Sequence, residues 1–293
     1  MSAGHEPRRC PVCDDALVVQ RHQWLRSCVE CGFLASVLDV RINSDDAPLN
    51  EELRADALRG LRKETFAIVL DAVAHGGLAK SASILDVGCA HGWFLQQATD
   101  CGYRSVGIEP DRAMAMLARA QGAEVRIGMF PEALHAGETF DAITFNDVLE
   151  HLPDVSGATA AVRAHLNPGG FFVVNIPLAT GFFYRLADAL DRIGYRAPFE
   201  RMWQVGFASP HRSYFTEQQL LRLAERHGFE LVMRRTLPSL RISGLWQRLR
   251  YDRSRGIIWA LLMWPALVAM SPIIRLWPHD IGLLIFKAGD PTP

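Results

Sequence analysis

The 293-residue chain has no surplus of charge of either sign: 31 basic residues stand against 32 acidic ones, for a formal net charge of -1. A protein whose main work is coating nucleic acid needs a basic excess to displace phosphate counterions, so that class is set aside and nucleic acid is not an expected partner. The N-terminus, MSAGHEPRRCPVCDD, lacks the apolar core of a secretory signal, and the expectation is a cytoplasmic protein. In a reducing compartment the six cysteines are expected as thiols or metal ligands rather than disulfides. No period repeats and no segment is of low complexity. Hydrophobic residues make up 49% and charged residues 22%, which excludes wholesale disorder and allows one large domain with a small satellite.

Against that plain background the first four cysteines stand out. Cys10, Cys13, Cys28 and Cys31 form two Cys-x-x-Cys pairs separated by fourteen residues. Each pair turns two thiolates toward one point, and two such knuckles complete a tetrahedral zinc site. Residues 1–40 are therefore expected as a small zinc ribbon whose folding energy comes from the metal. Between the pairs, Leu17–Val19 and Gln23–Leu25 read as the arms of a short hairpin. A full set of four thiolates leaves His5 and His22 without a ligand role, and both are expected at the surface. Arg8, Arg9, Arg21 and Arg26 are balanced by Glu6, Asp14, Asp15 and Glu30, so a structural or docking module is favoured over a nucleic-acid reader.

Residues 41–80 read as a linker, NSDDAPLN, followed by a helix over 51–75 that ends at Gly76-Gly77. From residue 81 to the end, apolar strands alternate with helices. Strands are expected at 83–87, 105–109, 125–127, 142–145, 171–176, 230–233 and 282–286. Asp111 and Thr216 are expected to cap helices. This pattern implies an α/β fold with a mostly parallel seven-stranded sheet covered by helices on both faces.

The chemistry centres on Ile84-Leu-Asp-Val-Gly-Cys-Ala-His-Gly-Trp-Phe-Leu95, a strand running through a small-residue turn into a helix. Gly88 permits close approach of a ligand, and Gly92 permits tight packing where the helix starts. Glu109 ends the next strand, where a carboxylate accepts both hydroxyls of a ribose. Together they indicate an adenosine-containing ligand, either a nicotinamide dinucleotide or S-adenosylmethionine. The turn lacks the full Gly-x-Gly-x-x-Gly pattern, and Asp86 is placed to face a cation rather than a pyrophosphate. Both points favour S-adenosylmethionine. So do the later segments Phe140-Asp-Ala-Ile-Thr-Phe-Asn-Asp-Val-Leu-Glu-His-Leu-Pro153 and Leu166-Asn-Pro-Gly-Gly-Phe-Phe-Val-Val-Asn-Ile-Pro177.

On these motifs, residues 83–177 resemble a class I S-adenosylmethionine-dependent methyltransferase with a Rossmann-like fold. His211-Arg-Ser-Tyr-Phe-Thr216 resembles that family's final third. The added ribbon is similar to a bacterial subgroup that methylates sugars, surface glycans and secondary metabolites. The resemblance implies cofactor contacts at Asp86, Gly88, Cys89, Ala90 and Gly92, with Glu109 on the ribose. Met129 and Phe130 would lie by the adenine, where many members carry an acidic residue in place of Met129. Asn146 would line the methyl-transfer face. Ala90 stands where a glycine is usual.

Methyl transfer from a sulfonium needs an aligned nucleophile and exclusion of water, and a hydroxyl nucleophile gains from a nearby base. His151 and His211 are the catalytic candidates, His151 having an orienting, helix-capping role as its alternative. Tyr214, Cys89 and Cys101 are read as structural. The expected reaction is O-methylation of a small molecule, a sugar or a lipid-linked glycan; an RNA methyltransferase and a non-enzymatic cofactor-binding scaffold are the alternatives. Two inserts are expected: an aromatic lid over 178–210 and a helical apolar insert over 237–280. Within the latter, residues 241–276 open with five arginines against Asp252, followed by eighteen uncharged residues, Ile257–Ile274. That order suggests peripheral contact with the inner face of a membrane, with a buried helix or a dimer face as alternatives. Pro265 and Pro272 are expected to break the run.

Overall fold

A computed structural model describes residues 9–43, 51–237, 244–250, 256–274 and 279–289. The expected linker (44–50), His5, and Arg241, Ile242, Asp252, Arg253 and Arg255 lie outside the described residues. In chain order the elements are β1 (Leu17–Val19), β2 (Leu25–Cys28), β3 (Leu34–Ser36), α1 (Glu51–His75), β4 (Ser83–Val87), α2 (Trp93–Asp100) and β5 (Arg104–Glu109). There follow α3 (Arg112–Ala120), β6 (Val125–Ile127), β7 (Phe140–Asn146), α4 (Val155–His165), β8 (Leu166–Pro177), α5 (Phe182–Arg192) and α6 (Ala197–Met202). The remainder are β9 (Ser213–Tyr214), α7 (Glu217–Arg226), β10 (Phe229–Leu237), α8 (Leu245–Arg250), α9 (Ile257–Ile274) and β11 (Ile281–Ala288).

Seven strands form one sheet in the order β10-β11-β8-β7-β4-β5-β6. Only β11 runs antiparallel to its neighbours. The chain winds one way from β4 through β5 to β6 and the other way from β7 through β8. The strand order therefore reverses between β4 and β7, and the carboxyl ends of those two strands flank a natural ligand crevice. Period-two alternation along β8 splits the core. Phe172, Val174 and Ile176 face α4 and α7, whereas Phe171 and Val173 face the α1–α2 layer with Phe66, Val69 and Phe94. The expected caps are present: Asp111 Oδ1 accepts from Ala113 N at 2.8 Å and from Met114 N at 3.1 Å. Thr216 and Gln219 form a reciprocal capping box on α7.

The cysteine module is not an appendage. Its strands form a second, antiparallel sheet in the order β1-β2-β3-β9, so the last strand comes from the α/β part of the chain. The tilted rings of Phe33 and Phe215 meet with centroids 4.9 Å apart, and Gln219 Nε2 donates to Cys31 O at 2.8 Å. His22, expected at the surface, is buried: its Nε2 lies 2.9 Å from Asp191 Oδ2, and its ring stacks on Trp24 and Phe199. Burial pushes the Asp191 carboxyl up, but hydrogen bonds from Arg21 and His22 outweigh it and hold the group below its ordinary value. Carboxylates on α5, remote in sequence, are what draw Arg21 and His22 inward.

The lid contains α5 and α6. Phe199, Trp203 and Tyr184 are buried among Leu25, Trp24 and Tyr214. Three of its aromatics thus pack on the cysteine module, and Phe207 lines the cleft. The apolar insert contains α8 and α9. Contrary to the expected breaks, α9 continues through Pro265 and Pro272; the Pro265 ring sits on an exposed face where a lost backbone hydrogen bond is cheap.

Candidate functional site

At the carboxyl ends of β4, β5 and β7 opens a cleft of about 580 Å³, within the usual size of a small-molecule site. A smaller adjoining recess of about 90 Å³ is lined by Asp86, Cys89 and Trp93.

The turn after β4 shapes the first half. Gly88 has φ 70°, and a Cβ there would lie 2.7 Å from Val148 Cγ2, so neither the conformation nor the space admits a side chain. Its N–H donates to Ile108 O at 2.7 Å, tying the turn to β5. Ala90 holds φ 45°, and its N–H donates to Glu109 Oε2 at 2.7 Å; Glu109 Oε1 accepts from Asp111 N at 2.8 Å. Each oxygen keeps a second lone pair, so the carboxylate remains able to receive a vicinal diol. Cys89 packs opposite Gly107, where any Cβ would meet its Sγ at 2.5 Å. Gly92 lines neither cavity: a Cβ there would meet Ala118 at 3.0 Å, so its role is the packing of α2 on α3. Met129 and Phe130 line the far wall of the large cleft, with Phe130 edge-on to Phe145.

Asp86 lies buried at the floor. Its Oδ1 accepts from Thr144 Oγ1 at 2.8 Å and Asn146 Nδ2 at 2.9 Å. Burial dominates over those two bonds and pushes its pKa up to about 7. Asn146 Oδ1 is buried beside it without a hydrogen-bond partner in the protein, as is Asn175 Oδ1. Asn146 lines both cavities, and a buried unsatisfied acceptor at a cleft is what a polar ligand would complete.

The second half is built by the 3₁₀ turn Leu149–His151 after β7 and by the chain returning from α6. His151 Nδ1 lies 3.1 Å from Pro210 O, and a carbonyl can only accept. Ser209 Oγ lies 3.3 Å from the same nitrogen; a proton on Nδ1, donated to the Pro210 carbonyl, would leave the basic lone pair on Nε2. The His211 ring meets His151 edge-on at 4.6 Å, and its Nε2 lies 2.8 Å from the Gln204 amide nitrogen. Burial, reinforced by His151, pushes His211 well below the ordinary histidine value, so it stays neutral. Glu150 is fully buried, and desolvation with Asp147 nearby pushes its carboxyl well above the ordinary range. Donor atoms of Glu150, His151 and His211 all fall within 4.8 Å of one another, a set able to grip a hydroxyl or a cation. Arg62 on α1 closes the cleft from above, 3.5 Å from Asp147.

Gly88, Ala90, Glu109, Met129, Phe130, Asn146, His151 and His211 thus meet around one space; Asp86 and Cys89 border its recess. Glu150, Gln204 and Arg62 escaped the sequence reading. Glu150 had a signal, its place beside His151; Arg62 and Gln204 had none, because only tertiary packing brings them in.

The four thiols lie apart from this cleft. Cys10 and Cys31 Sγ are 3.5 Å apart, Cys13 and Cys28 Sγ are 3.3 Å apart, and all four fall within 4.8 Å. A tetrahedral ion with bonds of about 2.3 Å needs sulfurs about 3.8 Å apart, which a small adjustment satisfies. Asp14 and Gly32, each directly after the second cysteine of a pair, take φ 66° and 69°. Their N–H groups donate to Cys10 O and Cys28 O, so the two turns share one geometry.

Comparison with known proteins agrees with this architecture. A family model described as a methyltransferase domain matches residues 57–233. A ubiquinone biosynthesis O-methyltransferase of Methylobacterium sp. (strain 4-46) is 25% identical over 175 residues, covering 57% of this chain and 68% of that enzyme. Its counterpart from Aeromonas salmonicida is 31% identical over 153 residues, covering 50% of this chain and 61% of that enzyme. Other curated relatives are matched over as little as 39% of their length. Among solved structures, a SAM dependent methyltransferase from Archaeoglobus fulgidus superposes with a TM-score of 0.52 at 15% identity, over 81% of this chain and 99% of that one. The cyclopropane synthase MmaA2 from Mycobacterium tuberculosis gives 0.52 at 15% identity, over 85% and 89%. At such identities these structures speak for the fold alone.

Proposed function

The chain belongs to the class I S-adenosylmethionine-dependent methyltransferases, and from that premise we propose that it methylates a hydroxyl of a small, largely apolar acceptor, with His151 as the base. The observation that carries the reading is the place of His151 in the cleft wall, with Nδ1 turned to the Pro210 carbonyl, the arrangement in which Nε2 is the basic nitrogen. The names of the curated relatives support an oxygen acceptor of quinone-like, lipid-related character rather than nucleic acid. Phe207, Leu152 and Pro177 give the acceptor half apolar walls suited to such a molecule. A free sugar or glycan fits those walls less well.

The residues present suit S-adenosylmethionine: a glycine turn no side chain can occupy, a diol acceptor at Glu109, and a carboxyl at Asp86. When bound, the cofactor supplies an electrophilic methyl carbon. The protein aligns the acceptor oxygen and keeps water out. Neutral His211 holds the His151 ring from its edge, and protonated Glu150 offers a hydrogen bond to the acceptor. His151 Nε2 takes the hydroxyl proton. The four thiolates would hold structural zinc, since such a set leaves no open position for catalysis.

The test is a transfer assay with deuterated-methyl cofactor against phenols, catechols, sugars and short RNA, read by mass spectrometry of the product. Label on an aromatic hydroxyl supports the reading; label on nitrogen, sugar or RNA, or no transfer at all, overturns it.

A pH experiment tests Asp86 separately. Its raised value, about 7, means the empty site holds a carboxyl half-protonated near neutrality. A cationic cofactor favours the ionised form, so binding expels a proton below pH 7. Affinity is expected to rise about tenfold per pH unit up to pH ~7 and then level off. Asp86→Asn keeps an oxygen for Thr144 and Asn146, and should bind more weakly with a flat pH profile. Calorimetry in buffers of different ionisation enthalpy reads both effects.

A further inference from the structure

The face of α9 turned away from α8 is apolar and bare. Leu245 and Leu249 of α8 pack against Ala260, Met263, Leu267 and Val268, which recur at helical spacing. Away from that stripe Ile258, Leu261 and Leu262 are exposed, with Ile258 at 72% and Leu262 at 64%, and Ile257, Trp264 and Met270 along the stripe and its edges are exposed as well. A helix that is apolar all round belongs in an apolar setting on every side, and the protein covers only one.

We propose that this face docks on an anionic lipid surface, with α9 lying in the interface. Charge selects that occupant. Residues 257–274 contain no charged residue, whereas the flanking sequence carries Arg248, Arg250, Arg253 and Arg255 on one side and Arg275 on the other, opposed only by Asp252. A second copy packed across a two-fold axis would set these like-charged ends against each other; anionic headgroups neutralise them. Topology argues against a span. Eighteen residues extend about 27 Å and only reach the lower limit for a hydrocarbon core of about 30 Å. The next strand, β11, rejoins the sheet between β8 and β10. Among the described residues no helix is long and apolar enough to cross a membrane. The hairpin also rests on α1, the helix whose Leu58 and Arg62 line the cleft, so a docked molecule would carry its cleft close to the lipid. The docking stands on this surface alone and not on the acceptor chemistry.

The full chain is to be sedimented with vesicles of phosphatidylcholine alone and with phosphatidylcholine–phosphatidylglycerol vesicles. Partition into the anionic vesicles should be at least about tenfold stronger, and should weaken but persist in high salt. The double variant Leu261→Glu/Leu262→Glu should lose at least about tenfold of that partition, since it places two charges on the buried face. Ile193→Glu, an exposed apolar position beyond α5, should leave it unchanged. Both variants should retain the parent's unfolding midpoint and cofactor affinity. The proposal is overturned if the protein stays in the supernatant with both vesicle types. It is equally overturned if the double variant still sediments, or if velocity sedimentation shows a dimer that the double variant dissociates and vesicles do not displace.

Discussion

His151→Ala is expected to lower kcat by about 10²–10⁴-fold, the usual worth of a positioned general base. The loss should fall on the chemical step. His151 lies in the acceptor half of the cleft, while the cofactor half is shaped by Gly88, Glu109 and Asp86. Cofactor affinity by calorimetry should therefore change little. The same substitution empties the edge contact with His211, whose rings are 4.6 Å apart, but His211 remains anchored through Gln204 and the backbone of β9. His211→Gln should cost less, because this buried neutral ring orients its neighbour and takes no proton. If His151→Ala turns over at the parent rate, the base assignment is wrong and acceptors of low pKa, already ionised in solution, become the better reading.

The second large effect is expected far from the chemistry. Replacing Cys28 and Cys31 together by serine should remove bound zinc, seen by elemental analysis, and lower turnover by about 100-fold, while cofactor affinity stays near the parent value. The route is physical and short. The cysteine pairs hold β2 and β3; β3 pairs with β9. Ser36 Oγ donates to His211 O at 2.6 Å, and Ser36 N donates to Arg212 O at 2.8 Å. Leu25 and Trp24 also complete the packing of Phe199 and Trp203, just before Gln204. Loosening the module therefore displaces His211 and Gln204, and a displacement of about 1 Å at a reacting centre can cost 10²-fold. Near-UV circular dichroism of the Trp24–Trp203 pair, 5.6 Å apart, should lose intensity in parallel. A variant without metal that keeps both its spectrum and its turnover would show that the module plays no part in the site.

This dependence marks the boundary between local and tertiary information. The β4 turn is written in the chain: an apolar strand, then Asp86 and Gly88, then a helix, with Glu109 at the end of the next strand. Each of those residues is required by the backbone within a few positions, so one strand–turn–helix unit announces both fold and ligand class. The paired cysteines, Asp111, Thr216 and the mostly parallel sheet were equally open to reading, because spacing and caps act over less than one element. His22 was misread for the opposite reason. Nothing near it in sequence calls a histidine inward; Asp191, on a helix some 170 residues later, does so. Arg62, Gln204 and the neutral state of His211 share that origin, as does the packing of Tyr184, Phe199 and Trp203 on the cysteine module. Sequence by itself determined which backbone would form and which cofactor half it would build, since those follow from hydrogen-bonding geometry between near neighbours. Only the tertiary structure decided the acceptor half. Burial and the charge state of Glu150 and His211 depend on what surrounds a group in space, and those surroundings come from β3, α1 and α6 at once.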